Sequence, residues 1–367
     1  MLKRGGIKVS NKKFKYVSSK KIKQILDDNT DYLILLGERS NGKSYSCKSL
    51  AFQECYDNDR KLIVLKRFDL ECKDSMIVNY FNDIPIQEIT KGKYTHVDVY
   101  RKEIYLSTLS EKTNKVIHGP KIGYVQSLSS DSHYKSLSFP DVDYILFEEF
   151  VATDNQYLYN ECNRLQNHVS TIFRQRKGKV LLIGNTISRI CPYYNEWQLD
   201  HIKDQKQGSV DKYVMKNENG EDTVISVYLT DSLNFNSGMF FGNVGRAITN
   251  GAYEVKTYPH LEESVRHFKM LYQFVLEYNE FKFLCQLLQH NENSDNITWF
   301  ISPKTSEIKN NTRVFSNKFS LDPMYSMTFK DCYESEKRLI MMLLNKRVCY
   351  SDNLTGTEFN ALLKNFL

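Results

Sequence analysis

Eight consecutive residues, Gly37-Glu38-Arg39-Ser40-Asn41-Gly42-Lys43-Ser44, match the pattern G-x-x-x-x-G-K-[ST]. Glycines at both ends let the backbone wrap so that successive N–H groups point at phosphate oxygens, and a helix starting there adds positive potential. Lys43 is the candidate partner of the β- and γ-phosphates, and the Ser44 hydroxyl of a Mg²⁺ ion. The candidate nucleotide contacts are Gly37, Ser40, Asn41, Gly42, Lys43, Ser44 and Tyr45.

A second group of residues could act on that ligand. Tyr144-Ile145-Leu146-Phe147-Glu148-Glu149 is an apolar run ending in two acids. An acid ending a buried strand beside the phosphate-loop strand holds Mg²⁺, and a following Glu can polarise the attacking water. Glu148 is therefore the metal-side candidate and Glu149 the general base. Val180–Ile183 leads to Gly184-Asn185, where Asn185 either senses the γ-phosphate or caps the next turn. No Asn-Lys pair is followed by Asp in an N-K-x-D guanine reader, so ATP is favoured over GTP. On a helix expected over 156–174, Leu158, Cys162, Leu165, Val169 and Ile172 form one apolar stripe, and Arg174 falls about 150° from its centre. Arg174 reads either as a surface cation or as a finger reaching another subunit's ATP; Arg176 would lie close to the stripe.

The elements that must hold these groups follow from the apolar pattern. Short runs at Tyr32–Leu36, Lys61–Leu65, Asp143–Phe147 and Lys179–Ile183 alternate with helical segments, and each suits a strand buried on both faces. That is a parallel α/β sheet. Alternation over Thr95–Ser107 predicts a hairpin turned near Arg101-Lys102. The pattern changes near residue 200: residues 201–230 are polar, and 231–256 suggest a small helical connector. Strands are expected at Tyr272–Tyr278, Phe281–Leu288, Ile297–Ile301 and Val314–Phe319, with helices near 331–345 and 356–366. The implied division is an arm and helix over 1–30, a nucleotide-binding domain over 31–200, a linker domain over 201–260 and an α+β domain over 261–367. The 367 residues carry a net charge of +6. Nine basic and two acidic side chains in residues 1–30 give +7, so the other 337 residues sum to −1. Eight scattered cysteines, with no C-x-x-C pair, fit reduced thiols. No apolar run approaches the ~20 residues a membrane span needs, and the start has no apolar signal core.

With these residues in view, the chain resembles the genome-packaging ATPases of small φ29-like tailed phages. The resemblance rests on Leu36 to Tyr45, Lys135-Ser136-Leu137-Ser138-Phe139-Pro140, Phe147-Glu148-Glu149-Phe150, Ile172-Phe173-Arg174-Gln175-Arg176, Ile183-Gly184-Asn185-Thr186 and the GRAITNGAYE stretch. It implies an ASCE-type P-loop ATPase domain, a small linker domain and an RNase H-like C-terminal domain that has lost its nuclease acids. It also implies a homomeric ring, typically a pentamer, in the host cytoplasm at the portal vertex of a procapsid. The ring drives double-stranded DNA inward with ATP and Mg²⁺; an RNA adaptor is left open. Residue by residue, Lys43 and Ser44 carry over as phosphate and metal contacts, Glu149 as catalytic glutamate, Arg174 as trans finger and Lys135 as a second basic residue acting across the subunit interface. Glu148 stands where that family commonly has Asp.

An active RNase H-like nuclease needs several carboxylates around two metals. The strand Met270–Tyr278 supplies only Glu277, opposite the face of Met270, Tyr272, Phe274, Leu276 and Tyr278; Asp295, Asp322 and Asp331 fall in expected loops or helix starts. A translocase without nuclease activity is therefore expected. The alternatives are a terminase-like enzyme that cuts DNA, another P-loop nucleic-acid motor and an ATP-binding scaffold. Lys12, Lys13 and Lys15, interleaved with Phe14 and Tyr16, read either as a nucleic-acid contact or as a solvated terminus.

Overall fold

The computed structural model describes residues 16–110, 112–113, 115–133, 138–152, 156–186, 191–216, 220–231, 256–278, 281–308, 311–316, 320–326, 338, 343 and 347–366. They fall into two compact units. The first draws on residues within 1–150, 164–185 and 206–237, the second on 151–163, 186–205 and 238–367.

The first unit is built on nine strands among the described residues: β1 (Tyr32–Gly37), β2 (Lys61–Lys66), β3 (His96–Tyr100), β4 (Glu103–Leu109), β5 (Val116–Ser127), β6 (Val142–Glu148), β7 (Lys179–Asn185), β8 (Val210–Lys216) and β9 (Asp222–Leu229). Their order is β3-β4-β5-β2-β6-β7-β1-β9-β8. Pairings from β5 to β9 are parallel, and antiparallel hairpins close both ends. Leu33, Ile34, Leu35, Ile63, Ile145, Leu146, Leu181 and Leu182 are all fully buried, because the parallel core is covered on both faces. The expectation that the acid-tipped strand lies beside the phosphate-loop strand is corrected. β7 is inserted between β1 and β6, the additional strand of an ASCE fold, so Glu148 is two strands from Gly37.

Helices α1 (Ser19–Asp27), α2 (Lys43–Asp57), α3 (Asp74–Phe81), α4 (Ile86–Ile89) and α5 (Glu161–Phe173) complete this part of the chain. Ile22, Ile25 and Leu26 of α1 join the same core as α2 and β1, so the boundary drawn at residue 30 does not separate a domain. The boundary at residue 200 also moves. β9 pairs with β1 from Tyr32↔Ile225 to Leu36↔Leu229, and β8 pairs with β9. Val224, Ile225, Val227, Tyr228 and Leu229 are buried there, which a purely polar linker could not provide. Most of the expected linker, residues 232–255, lies outside the described residues. α5 begins five residues later than expected. Asn160 takes a left-handed φ of 52°, and the Glu161 carboxylate accepts the Leu158 N–H at 2.8 Å, fixing the chain before the first turn.

The second unit contains α6 (Pro192–Glu196), β10 (Phe268–Tyr278), β11 (Phe281–His290), β12 (Ile297–Pro303), β13 (Arg313–Ser316), β14 (Tyr325–Ser326), β15 (Val348–Tyr350) and α7 (Asn353–Phe366). The sheet order is β14-β13-β10-β11-β12-β15. β10, β11 and β12 are consecutive and antiparallel, while β13 and β14 add in parallel on the other side of β10, as in RNase H-like domains. A bulge between Met270 and Tyr272 breaks the expected alternation and leaves Met270 exposed. Most of the helix expected over 331–345 is outside the described residues. Among the described residues no helix is long and apolar enough to cross a membrane, and the seven cysteines there are buried thiols.

Candidate nucleotide site

The loop after β1 has a backbone that few residue types tolerate. Ser40 and Gly42 both have left-handed φ, 62° and 85°, on either side of Asn41. Gly42 then caps α2, and the N–H groups of the first helical turn face the loop. Gly37 is needed for a different reason: a Cβ there would collide with the Thr230 hydroxyl. That hydroxyl accepts a 2.7 Å bond from Asn41 Nδ2, while the Thr230 N–H donates to the Leu36 carbonyl at 2.8 Å. The far side of the loop is tied down by the residues before α1. Val17 N–H donates to the Asn41 carbonyl at 3.0 Å, Ser46 Oγ donates to the Val17 carbonyl at 2.7 Å, and the Tyr16 ring stands against Gly42.

Lys43 lies inside this frame, 5% exposed. Its ammonium donates to four uncharged oxygens: the carbonyls of Gly37 (3.2 Å) and Glu38 (2.5 Å), Asn41 Oδ1 (3.1 Å) and Asn185 Oδ1 (3.3 Å). Burial pulls its pKa down to about 8, opposed by the charges of Glu38, Cys47 and Glu148. The bond to Asn185 joins the ends of β1 and β7 and brings two of the predicted residues together.

The third strand end, β6, carries the acids. Glu148 is half-buried; its Oε2 lies 4.0 Å from Lys66 Nζ, the buried Tyr80 hydroxyl stands near its carboxylate, and its buried Oε1 accepts no hydrogen bond of normal geometry among the described residues. An orphaned carboxylate oxygen at this edge, with the Ser44 hydroxyl at the first turn of α2, fits a hard divalent cation completed by phosphate and water oxygens. Glu149 is exposed with a left-handed φ of 54°. Arg67, 7% exposed at the end of β2, donates to the carbonyls of Glu149 (2.9 Å) and Phe150 (2.8 Å) and lies over the Phe147 ring.

Arg174 sits at the opposite edge of the sheet. It follows α5 with a left-handed φ of 53°, a position that favours Gly or Asn, and precedes the start of β7 by five residues. The full length of β7, roughly 20 Å at strand rise, lies between it and Lys43's partner Asn185. Arg174 is exposed, whereas Arg176 turns inward and donates to the carbonyls of Val142 (3.0 Å) and Phe139 (2.6 Å). Lys135, Lys12, Lys13 and Lys15 lie outside the described residues. Tyr45 is 41% exposed, on the first turn of α2.

Sequence reasoning missed Arg67, Thr230 and the Tyr16–Val17 strap. Arg67 had a local signal, the second of two cations, Lys66-Arg67, that close a buried strand. Thr230 had none, because it meets the loop 189 residues away from Asn41. In the second unit, Glu277 is 6% exposed, with Oε1 3.6 Å from Lys282 Nζ on the facing strand. Its charge is balanced in place.

The model of the podovirus DNA encapsidation protein (Gp16) family matches residues 15–254. The DNA packaging protein of Bacillus phage B103 is 31% identical over 168 residues, 44% of this chain and 46% of that protein. That of Bacillus phage phi29 is 26% identical over 227 residues, 60% of this chain and 58% of that protein. The chain thus spans about half the length of the curated relatives it matches. A solved chain from the bacteriophage Phi-29 viral genome packaging motor assembly aligns over 96% of this chain and 99% of its own, with a TM-score of 0.56 and 19% identity, a likeness of fold.

Proposed function

The chain belongs to the podovirus DNA encapsidation protein (Gp16) family, and on that premise we propose that it is the ATP-hydrolysing subunit of a ring motor that drives double-stranded DNA into a phage procapsid. The observation that carries the reading is the bond from Lys43 Nζ to Asn185 Oδ1, at the sheet edge where β6 delivers Glu148 and Glu149. Lys43 exchanges neutral loop oxygens for β- and γ-phosphate oxygens, a gain in charge complementarity at a desolvated site. Glu149 takes the proton of the attacking water, and Asn185 orients that water. Ser44 and Glu148 would hold Mg²⁺, which supplies charge neutralisation on the phosphates. The ring is read as five copies at the portal vertex in the host cytoplasm, with or without an RNA adaptor. The pairing of Glu277 with Lys282 supports a C-terminal unit that does not cut DNA.

Purified procapsids, this protein and ATP should protect linear duplex DNA from added nuclease. No protection, with ATP turnover intact, would sink the packaging reading. Arg174 acts in this scheme on the neighbour's ATP, as does Lys135. Support for Arg174 is its placement at the edge opposite its own phosphate site. Arg174→Ala and Lys43→Ala should each be inactive alone, while mixed rings should regain some turnover at interfaces that pair an intact loop with an intact Arg174. Mixtures shown to form hybrid rings yet remaining silent would refute the trans role.

A further inference from the structure

The strongest unassigned feature is the antiparallel annex at the β3 end of the first sheet. Residues 91–121 carry seven basic and three acidic side chains, a net +4. With the first 30 residues at +7, the remainder of the chain sums to −5. The annex is therefore a positive island on an acidic body, and sequence charge alone hid it behind the terminal arm.

Its most unusual point is the turn between β3 and β4. Tyr100 pairs directly with Glu103, so Arg101-Lys102 is a two-residue loop. Both residues are left-handed, with φ of 53° and 62°, which is the type I′ geometry that favours Asn-Gly. A long side chain with a Cβ is strained in that backbone region. The turn is also fixed in place. The Lys102 carbonyl accepts the Val125 N–H at 2.8 Å, and Lys102 Nζ is ion-paired with Asp69. Arg101 is left to face solvent, with its guanidinium 5.1 Å from the centre of the half-exposed Tyr100 ring. No carboxylate pairs with it among the described residues. The acids on the same face are engaged elsewhere: Asp98 with His118 at 2.7 Å and Glu103 with Lys121 at 2.8 Å.

Position adds to chemistry. Glu103 pairs with Tyr124, close to the end of β5, and β5 ends level with β2 at Ser127↔Lys66. The turn thus lies on the same sheet edge as the phosphate loop, five strands away, or roughly 24 Å at normal strand spacing. It is out of reach of the chain's own nucleotide. A planar cation backed by a ring suits a phosphodiester oxygen pair, and with no Asn, Gln or carboxylate in the turn beside it, a single Arg could read at most one guanine, too little to specify a sequence.

The geometry points to Arg101, backed by Tyr100 and set by the strained turn, as a sequence-independent contact for the phosphodiester backbone of double-stranded DNA. This rests on the motor reading above. The test is the double variant Arg101→Asn, Lys102→Gly, which installs the residues the turn prefers, with Lys112→Gln, Lys115→Gln as an equal charge loss at the other end of the annex. Binding of a 30-base-pair duplex is followed by fluorescence anisotropy at stepped salt, with a non-hydrolysable ATP analogue present. The turn variant should melt no lower than the wild type. It should bind DNA several-fold more weakly at low salt, and flatten the slope of log K against log salt by about one, the effect of one lost phosphate contact. The Lys112/Lys115 variant should lose much less. Equal losses in both would show only a diffuse field, and an unaltered turn variant would show no contact; either overturns the assignment. A wild-type protein that binds no DNA under these conditions removes the assignment together with the motor reading, whereas wild-type binding with an unaltered variant removes the assignment alone.

Discussion

Lys43→Met is expected to abolish ATP binding and to erase a rise in the stability of the nucleotide-free protein at alkaline pH. Two or more charge-assisted bonds to phosphate are lost, each worth about 1.5–3 kcal/mol, so affinity should fall by at least about 100-fold. The pH effect follows from burial. Desolvation lowers the Lys43 pKa to about 8 in the folded chain, against a reference value of 10.5. Between those values the unfolded chain holds more protons than the folded one, so unfolding free energy from this group rises with pH. The penalty is present in full below pH 8 and lifts as pH climbs toward 10.5, by about 1.4 kcal/mol per unit and about 3 kcal/mol across the window. Methionine cannot titrate. Denaturant unfolding of both proteins from pH 7.5 to 10.5 checks this, since the gap between the two stability curves should open in favour of the wild type. Parallel curves would mean that Lys43 is solvated in solution and that the loop is not the tight frame described.

Glu149→Gln should leave nucleotide binding within a few-fold of wild type and lower turnover by at least about 100-fold, the usual worth of a general base. Glu148 ends β6 half-buried, whereas Glu149 follows it with a left-handed backbone and an exposed side chain. Two adjacent acids are thereby given different surroundings. Glu148 faces the interior edge with an orphaned oxygen, suited to a cation; Glu149 faces open space, where a water can sit between it and a phosphate. Arg67 holds the carbonyls of Glu149 and Phe150, so the root of the base is fixed while its carboxylate is exposed. Steady-state turnover and a fluorescent-nucleotide titration measured side by side test the split. Turnover within tenfold of wild type would remove Glu149 from the role of base.

Much of this site was legible because its residues sit next to strong local signals. β1, β6 and β7 are apolar on both faces and end in Gly37, Glu148 and Asn185, so strand and chemistry were read together. The β3–β4 hairpin was legible from Val97, Val99, Ile104 and Leu106, all buried, and from the turn between them. What escaped was non-local. The first half of β5 is exposed and carries no apolar alternation, so the strand was not expected. β9 carried a strand signal of its own in Val224-Ile225-Ser226-Val227-Tyr228-Leu229 that the polar surroundings obscured, but its place beside β1, with β8 paired to it, is not local information. The insertion of β7 between β1 and β6 is an order of strands, which no local pattern encodes. Leu271 shows the same limit at small scale, since one extra residue in a bulge changed which face Met270 presents.

The docking of β9 on β1 has a consequence for how the molecule comes into being. Residues 32–37 emerge from the ribosome almost two hundred residues before 225–230. Until that later segment arrives, β1 is an uncovered edge of Leu and Ile, the kind of strand that invites pairing with other nascent chains. The Asn41 amide also waits for Thr230, so the phosphate loop acquires its final shape only 189 residues after Asn41 has been made. Competence to hold a triphosphate is therefore acquired only after Thr230 has been made, long after the motif that encodes it.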